Sequence, residues 1–577
     1  MNIVFENEEK LKFFEQIQLN LCSLECNASD TQINQLIKQI PESMLVQKDD
    51  LMVICHIFAV YIRIKLKSMK KNAFKLFGGI MDYLKKYLQN ESIFFWNILG
   101  GLHFLKLWMY QEGLISIETI ILAAKKNKSN SITKYFLPEI IEREPDVFEN
   151  ELKYTLDSSI YSPEKIKEHK EKRDKYLKWI CDSGDYNDPL YHEIETRKLF
   201  ASIMADDIDS FQKLISNNNI DINTKIRESI YQNSHLFYVD SSLLDIAIEY
   251  NATKIAKFLI LNNAEFTNGM IFGAITSNNY EMIHLVESNM PDKSKIPENL
   301  IWYSVNHWND DVTEYALNNY NELDFLEKSG VKIENKKIVF DTIQSTFEYV
   351  NFSFFRTKLL PFLRNNEQFV SENIHDILRL TFCEKSGYFT KEFLKYPNID
   401  INHYFDNSQF SILGNAINEN NTRAVEILME NRQIDVNKNA FKKFPPLIFA
   451  IGSYVDMKIV DLLCRHPEIN INLRDGRWGV SSFEISVSRG NFYSFKYLTE
   501  NYEKLEAKSY GCLFFFALKL RFLQTLRLLM QFYFKKGEND SYDVIEKSVK
   551  NFKFDASYRD EYLDDLKNVY NELKNIK

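Results

Sequence analysis

The sequence predicts an all-α chain in which helix–turn–helix units repeat behind a helical N-terminal region. Three observations lead there. Turn formers are scarce, with 17 glycines and 12 prolines in 577 residues, against averages of about 7% and 5%; this argues against sandwiches, barrels and glycine-rich nucleotide folds. A triplet recurs at a fixed interval: Asp400-Ile401-Asn402, Asp435-Val436-Asn437 and Asn470-Ile471-Asn472 stand 35 residues apart. Upstream, apolar residues fall at helical spacing, as in Leu51, Ile54, Cys55, Phe58 and Ile62, then Phe74, Phe77, Met81 and Leu84.

Residues 1–190 lack the 35-residue period and read as a helical N-terminal region. The opening MNIVFENEEK is acidic and has no apolar core, so no secretory signal is expected there. Residues 51–64 carry His56 and Arg63, and residues 93–110 carry His103 and Lys106. Ionisable groups in such short apolar stretches predict buried core helices rather than membrane spans. The segment 164–175, EKIKEHKEKRDK, is almost wholly polar and marks the expected boundary.

Residues 197–535 read as the repeat array, about nine or ten units of which several are degenerate. The clearest units have one plan. Ser411-Ile412-Leu413, Ala416, Asn420-Asn421 and Val425 to Leu428 are followed by Pro446-Leu447, Ala450, Asp456 and Ile459 to Leu463. The third runs through Ser481-Ser482-Phe483, Ser486, Gly490-Asn491 and Phe495 to Leu498. A small residue in the first helix lets neighbouring units approach, and the aliphatic pair of the second helix, such as Leu462-Leu463, fills the groove between them. The turn between the helices wants a positive φ, and Asn251, Asn278-Asn279 and Asn420-Asn421 stand there in place of glycine. The plan extends backwards with weaker fidelity: a clear unit is expected at 242–259 and another at 272–286, degenerate ones at 302–317, 339–355 and 374–394, and a further unit at 512–530. Residues 225–240, with Ile230, Tyr231, Phe237 and Tyr238, read as an insertion that packs back. Residues 540–577 read as a charged helical cap.

A small residue in the first helix, an aliphatic pair in the second and D-[IV]-N ends at this period resemble the ankyrin repeat. Further stretches carry the resemblance: SNNNIDINTKIRESIYQNSHLF, LLDIAIEYNATKIAKFLILNNAEFT and GAITSNNYEMIHLVE, with GLISIETIILAA and YFLPEI upstream. Together they look like a large family of ankyrin proteins that carry a domain of unknown function and are expanded in a parasitic flagellate protist. The resemblance covers most of the chain. It implies an ankyrin-repeat solenoid and no established activity, so it assigns no role to any residue.

The charge balance, 71 Lys and Arg against 80 Asp and Glu, gives no global attraction to nucleic acid or anionic membrane. Seven scattered cysteines, with only Cys22 and Cys26 close together, fit a reducing compartment, and a cytoplasmic location is expected. No phosphate-binding glycine loop, H-E-x-x-H, G-x-S-x-G or kinase signature occurs. No cofactor, metal site or catalytic residue is therefore expected. His284, in MIHLV, reads as a packed helical histidine, and the pairs Asp49-Asp50, Asp206-Asp207 and Asp310-Asp311 as turn or helix-cap residues.

The expected role is a non-enzymatic scaffold that binds a protein partner of unknown identity on the concave surface of the array. Successive hairpin tips follow each D-[IV]-N end: Tyr404-Phe405, then Lys442-Lys443 beside Phe441, then Arg474-Asp475-Gly476-Arg477-Trp478. Stacking aligns them into an aromatic and basic stripe, and Trp, Tyr and Arg dominate binding hot spots. Tyr404, Phe405, Lys442, Lys443, Arg474, Arg477 and Trp478 are thus the candidate partner-binding residues, with an acidic segment as the expected ligand. The alternative is peripheral attachment to anionic membrane or RNA through the basic run of 63–86: Arg63, Lys65, Lys67, Lys70, Lys71, Lys75, Lys85 and Lys86. No specific nucleic acid is expected otherwise.

Overall fold

The structure is a computed structural model describing residues 8–23, 30–65, 78–80, 96–100, 102–126, 130–152, 162–182, 194–226, 241–267, 269–277, 279–290, 300–320, 336–397, 399–405, 407–537, 540–552 and 559–575. These residues are mostly α-helical, as the scarcity of turn formers predicts. Among them, extended pairing is confined to two short antiparallel ribbons and three isolated bridges. The contacts divide the chain into two compact units, Met1–Glu112 with Glu168–Ile399, and Gly113–Lys167 with Asp400–Lys577. The N-terminal 190 residues thus contribute to both.

In the first unit, the helix Lys48–Lys65 is enclosed: every residue from Asp50 to Ile62 is buried. A helix apolar on all sides has to be surrounded by protein. Its buried His56 and Asp50 have partners, His56 Nδ1 at 3.0 Å from Glu384 Oε1 and Asp50 receiving Lys10 Nζ at 2.8 Å. The helix Glu8–Cys22 packs against it and against Phe352–Phe354. There the buried Gln18 amide donates to Asn351 Oδ1 at 3.0 Å and accepts the Phe352 N–H at 2.9 Å. Helix pairs follow, among them Ile194–Met204 with Ile208–Asn217, Leu243–Glu249 with Thr253–Leu261, Met270–Thr276 with Tyr280–Asn289, and Leu300–Asn306 with Asp310–Tyr320.

In the second unit, Ile412–Asn418 pairs with Thr422–Met429, Pro446–Gly452 with Met457–Arg465, Ser482–Ser488 with Phe492–Asn501, and Tyr510–Lys519 with Leu523–Lys535. Each first helix lies against the next first helix and each second against the next second. The helices Tyr542–Lys550 and Arg559–Asn575 pack on the last pair. Of the aliphatic pair, Leu463 is fully buried and Leu462 only half-buried. Phe514 and Phe515 are core, and Phe516 is half-buried.

One turn joins the helices of many pairs. Its first residue takes a positive φ, and the next N–H reaches back five residues to a small residue of the first helix. Among the described residues the donors are Asp207, Ala252, Asn309, Asn351, Asn421, Val455, Asn491 and Phe522; the acceptors are the carbonyls of Ser202, Ala247, Ser304, Thr346, Ala416, Ala450, Ser486 and Ala517. This is the Schellman closure. Asn251, Asn420 and Gly490 hold the positive φ as the sequence suggests, but Asp206, Trp308, Val350, Tyr454 and Arg521 hold it too. Asn279 does not: its backbone is extended and its side chain caps Tyr280–Asn289. Asp207 caps Ile208–Asn217, whereas Asn309, not Asp310, accepts from the Val312 N–H at the start of Asp310–Tyr320.

The D-[IV]-N ends are explained by three roles. The first side chain accepts the N–H two residues on, from Asp400, Asp435 and Asn470 to Asn402, Asn437 and Asn472 at 2.9, 2.9 and 3.1 Å. Ile401 and Val436 are buried. The final Asn clamps the following loop: Asn402 Nδ2 donates to the Gln433 carbonyl at 2.7 Å while its Oδ1 accepts the Asp435 N–H at 2.8 Å. Asn437 and Asn472 do the same to Glu468 with Asn470, and to Lys504 with Glu506. A carboxamide offers a donor and an acceptor on two separate atoms of one short side chain.

Two expectations change. His284 is on the surface, its Nδ1 at 3.2 Å from Glu287 Oε2 and its side chain 60% exposed. Arg63, the first member of the basic run, is turned onto the Tyr349 ring. The side chain of Lys65, the remaining lysines of that run, Phe74, Phe77, Met81, Leu84, Asn278 and most of the 225–240 insertion lie outside the described residues. Among the described residues, no helix is long and apolar enough to cross a membrane.

Candidate protein-binding edge

The tips of the second unit are short ribbons that lead into the first helices. Tyr404–Phe405 pairs with Phe410–Ser411, Tyr404 opposite Ser411 and Phe405 opposite Phe410. Isolated bridges extend the pattern, Phe410 to Phe441, Phe441 to Phe444 and Arg474 to Ser481. The first and third tips end where a helix must begin, and a serine is there to cap it: Ser411 accepts from the Gly414 N–H at 3.0 Å, and Ser481 forms a reciprocal capping box with Glu484, whereas Pro445 precedes the helix Pro446–Gly452 without a side-chain cap.

Rings run from tip to tip along this edge. Phe410 stacks on Phe441 with centroids 4.4 Å apart, and both lie 5.6 Å from Phe449. One tip further on, Phe444 contacts Trp478 at 5.3 Å. Trp478 remains 51% exposed, one of the few large apolar side chains that the described residues show to water. The Arg477 guanidinium lies 4.6 Å from its centroid, and Lys442 Nζ 4.9 Å from the Phe441 ring. Lys442, Lys443 and Arg477 are exposed.

Asp475 gives the third tip its shape. It is buried, and its carboxylate accepts the N–H groups of Arg477, Trp478 and Val480 at 2.7, 2.7 and 2.8 Å. The chain then turns at Gly479, at φ +64°. Trp478 is therefore held by its own main chain and does not fold back into the core.

Not every predicted residue faces outward. Phe405 is buried against His403. The Tyr404 hydroxyl donates to the Gln409 carbonyl at 2.7 Å and accepts the Lys442 N–H at 3.1 Å, so it holds two tips together. Arg474 is half-buried; it donates to Glu484 at 2.6 Å and to the Gly479 carbonyl at 3.0 Å. What remains exposed among the predicted residues is Lys442, Lys443, Arg477 and Trp478. The sequence reading missed Phe410, Phe444 and Phe449. The signal was present in SQFSIL and KKFPPLIF, where an aromatic stands just before or within each first helix.

The opposite end of the first helices is covered within the same unit. Lys126, at the end of the helix Ile117–Lys126, donates to the Asn418 carbonyl at 2.8 Å, and Lys125 to the Gly490 carbonyl at 3.1 Å while lying 5.7 Å from the Tyr454 ring. Those acceptors are at the turns between helices, where carbonyl ends attract cations. Burial raises the Glu118 carboxyl on the same helix, with Asp456 adding to the effect.

Burial also pushes the Cys464 thiol up to about 12 and the Cys55 thiol well above its ordinary value, so neither is a thiolate nucleophile at neutral pH. Among the described residues, no three His, Cys, Asp or Glu side chains form a group that holds a metal ion. No protein-family model matches the chain, and no curated protein matches it either.

Proposed function

We propose that the chain is a non-enzymatic protein-binding scaffold, an ankyrin-type solenoid whose tip edge takes an acidic segment of a partner. The observation that carries this reading is the exposed Trp478 on its rigid Asp475 turn, flanked by Arg477, Lys442 and Lys443. Exposed aromatic and arginine side chains in fixed positions lose little entropy on binding and make strong anchors. The basic groups select for carboxylates and speed encounter.

The solenoid reading rests on the recurring Schellman turn and on the Asn clamps, each of which ties one loop to the next. A stack built this way leaves one long edge of tips for recognition. In the second unit the helix Ile117–Lys126 occupies the turn edge, which favours the tips as the working surface. Free thiols at Cys55, Cys464 and Cys512 suit a reducing compartment.

Selection from a peptide display library against the full chain tests the proposal. The expected result is enrichment of Asp- and Glu-rich peptides with one or two apolar anchors, weakened at least about tenfold by Trp478→Ala or by Arg477→Glu. Selected peptides that are neutral or basic, or that bind both variants as tightly as the parent chain, overturn it.

A further inference from the structure

The third tip collects cations from both of its neighbours. Residues 475–479 form one closed turn, in which the Gly479 N–H donates to the Asp475 carbonyl at 3.1 Å. Lys443, from the second tip, lies along one end of it: a Cβ on Gly476 would stand 3.3 Å from Lys443 Cβ and 3.5 Å from its Cδ. Lys508, from the fourth tip, reaches the other end: a Cβ on Gly479 would stand 2.5 Å from Lys508 Nζ. A larger residue at 476 or 479 would displace one of these side chains. Arg477, between them, lies over the Trp478 ring. The ends of such a turn stand within about 7 Å of each other, so the three cations border one small patch.

The main chain fixes where they stand. The Lys443 carbonyl accepts the Gly476 N–H at 2.9 Å, and the Lys508 N–H donates to Glu484 Oε1 at 2.7 Å. All three side chains are exposed, and among the described residues none of them makes an ion pair. The carboxylates of this tip are engaged inside it. Asp475 is buried on three main-chain N–H groups, and the buried Glu484 is paired with Arg474. Glu506 is exposed two residues before Lys508 and makes no ion pair with it.

Three like charges around one turn repel one another. A carboxylate offsets only one of them. A phosphate monoester carries about −1.5 to −2 charges and three acceptor oxygens at neutral pH, and guanidinium and ammonium groups bond it strongly. Trp478 and Phe444, in contact beside the patch, offer an apolar seat to the chain that carries it.

We propose that the third tip binds a phosphorylated residue of the partner's acidic segment, with the phosphate among Lys443, Arg477 and Lys508 and the flanking chain on Trp478. This rests on the reading of the tip edge as the partner surface, and it makes tight docking depend on phosphorylation of the partner.

Peptide arrays probed with the full chain, followed by fluorescence titration of the strongest sequences, test this. The arrays carry Asp- and Glu-rich peptides built around a fixed phosphoserine, phosphotyrosine, serine or glutamate. One phosphorylated set should bind at least about tenfold tighter than its serine and glutamate counterparts. Lys443→Met and Lys508→Met should each cut that preference about threefold or more. Both variants should melt with the parent chain, since the side chains are exposed. Inorganic phosphate at the peptide's concentration should not compete, because it lacks the flanking chain. Equal binding of phosphorylated and unmodified peptides overturns the phosphate site and leaves the tip edge standing. No binding by any set removes the tip edge as well. A preference that survives both methionine variants, equal competition by inorganic phosphate, or binding of anionic vesicles in place of the phosphopeptides also overturns the proposal.

Discussion

Asn437 clamps Asn470: its Oδ1 accepts the Asn470 main-chain N–H at 2.9 Å while its Nδ2 donates to the Glu468 carbonyl at 2.7 Å. The residue 35 positions earlier, Asn402, and the one 35 positions later, Asn472, make the same two bonds to their own following loops. Asn437→Ala removes both bonds at a solvent-facing site, and each is worth about 1 kcal/mol net. A loss of about 1–2 kcal/mol in urea unfolding is expected. Asn437→Asp keeps the acceptor but sets a carboxylate against the Glu468 carbonyl, so it should be no better than alanine. A change below about 0.3 kcal/mol for both would remove the clamp as a stabilising device.

Leu463 and Leu462 separate the two faces of one helix. Leu463 is fully buried and Leu462 half-buried on Met457–Arg465. Leu463→Ala should cost about 2–5 kcal/mol and Leu462→Ala roughly 1 kcal/mol or less. Equal losses in thermal or urea unfolding would contradict this packing.

The helical pairs were legible because their chemistry is local and periodic. The small residue at 416, 450 and 486 marks the carbonyl that closes the turn, and D-[IV]-N marks the loop clamp. The turn itself was legible only where Asn or Gly stands in it. At Tyr454, Trp308 and Val350 the tertiary surroundings hold a positive φ that the residue would avoid alone. The tip edge was legible by position, but not which side chains face outward. Nothing local distinguishes Arg474, bonded ten residues on to Glu484, from Arg477, which lies on Trp478. Arg63, whose charge acts on the buried Lys106, stands 43 residues before it, and that neighbourhood left no sequence pattern.

Arg474 and Trp478 are expected to respond oppositely. Arg474→Ala strips a buried carboxylate of its cation, because Glu484 is only 7% exposed. That should cost about 2 kcal/mol or more. Trp478→Ala removes an exposed ring in contact with Phe444 and should cost less than about 1 kcal/mol. If Trp478→Ala proves the more destabilising in thermal unfolding, the ring is a packing element and the tip edge loses its anchor.

Gly414 reverses the usual helix rule. Gly→Ala inside a helix commonly gains up to about 1 kcal/mol. In Ile412–Asn418 an added Cβ would overlap the Ala440 main-chain carbonyl, which is itself fixed by the Ser411 N–H at 2.9 Å. Gly414→Ala should therefore lose about 1–3 kcal/mol, since backbone must shift to admit the methyl. A stabilised variant would show that the two segments are further apart.

Lys106 supplies a pH test whose sign is fixed by linkage. Burial, with Arg63 adding to it, lowers the Lys106 amine from 10.5 to about 7. Below pH 7 the folded chain carries this charge at full cost, on the order of 5 kcal/mol as an upper bound. Between about 7 and 10.5 the unfolded chain keeps a proton that the folded chain has released, so stability rises with pH across that window. Lys106→Met has no such group. Its stability advantage over the parent chain should be level below about pH 7 and shrink steadily toward pH 10. Taking the difference between the two proteins cancels the other titrating groups. Urea unfolding at intervals of pH measures it, and an advantage that stays constant from about pH 6 to 10 would mean that the amine is solvated.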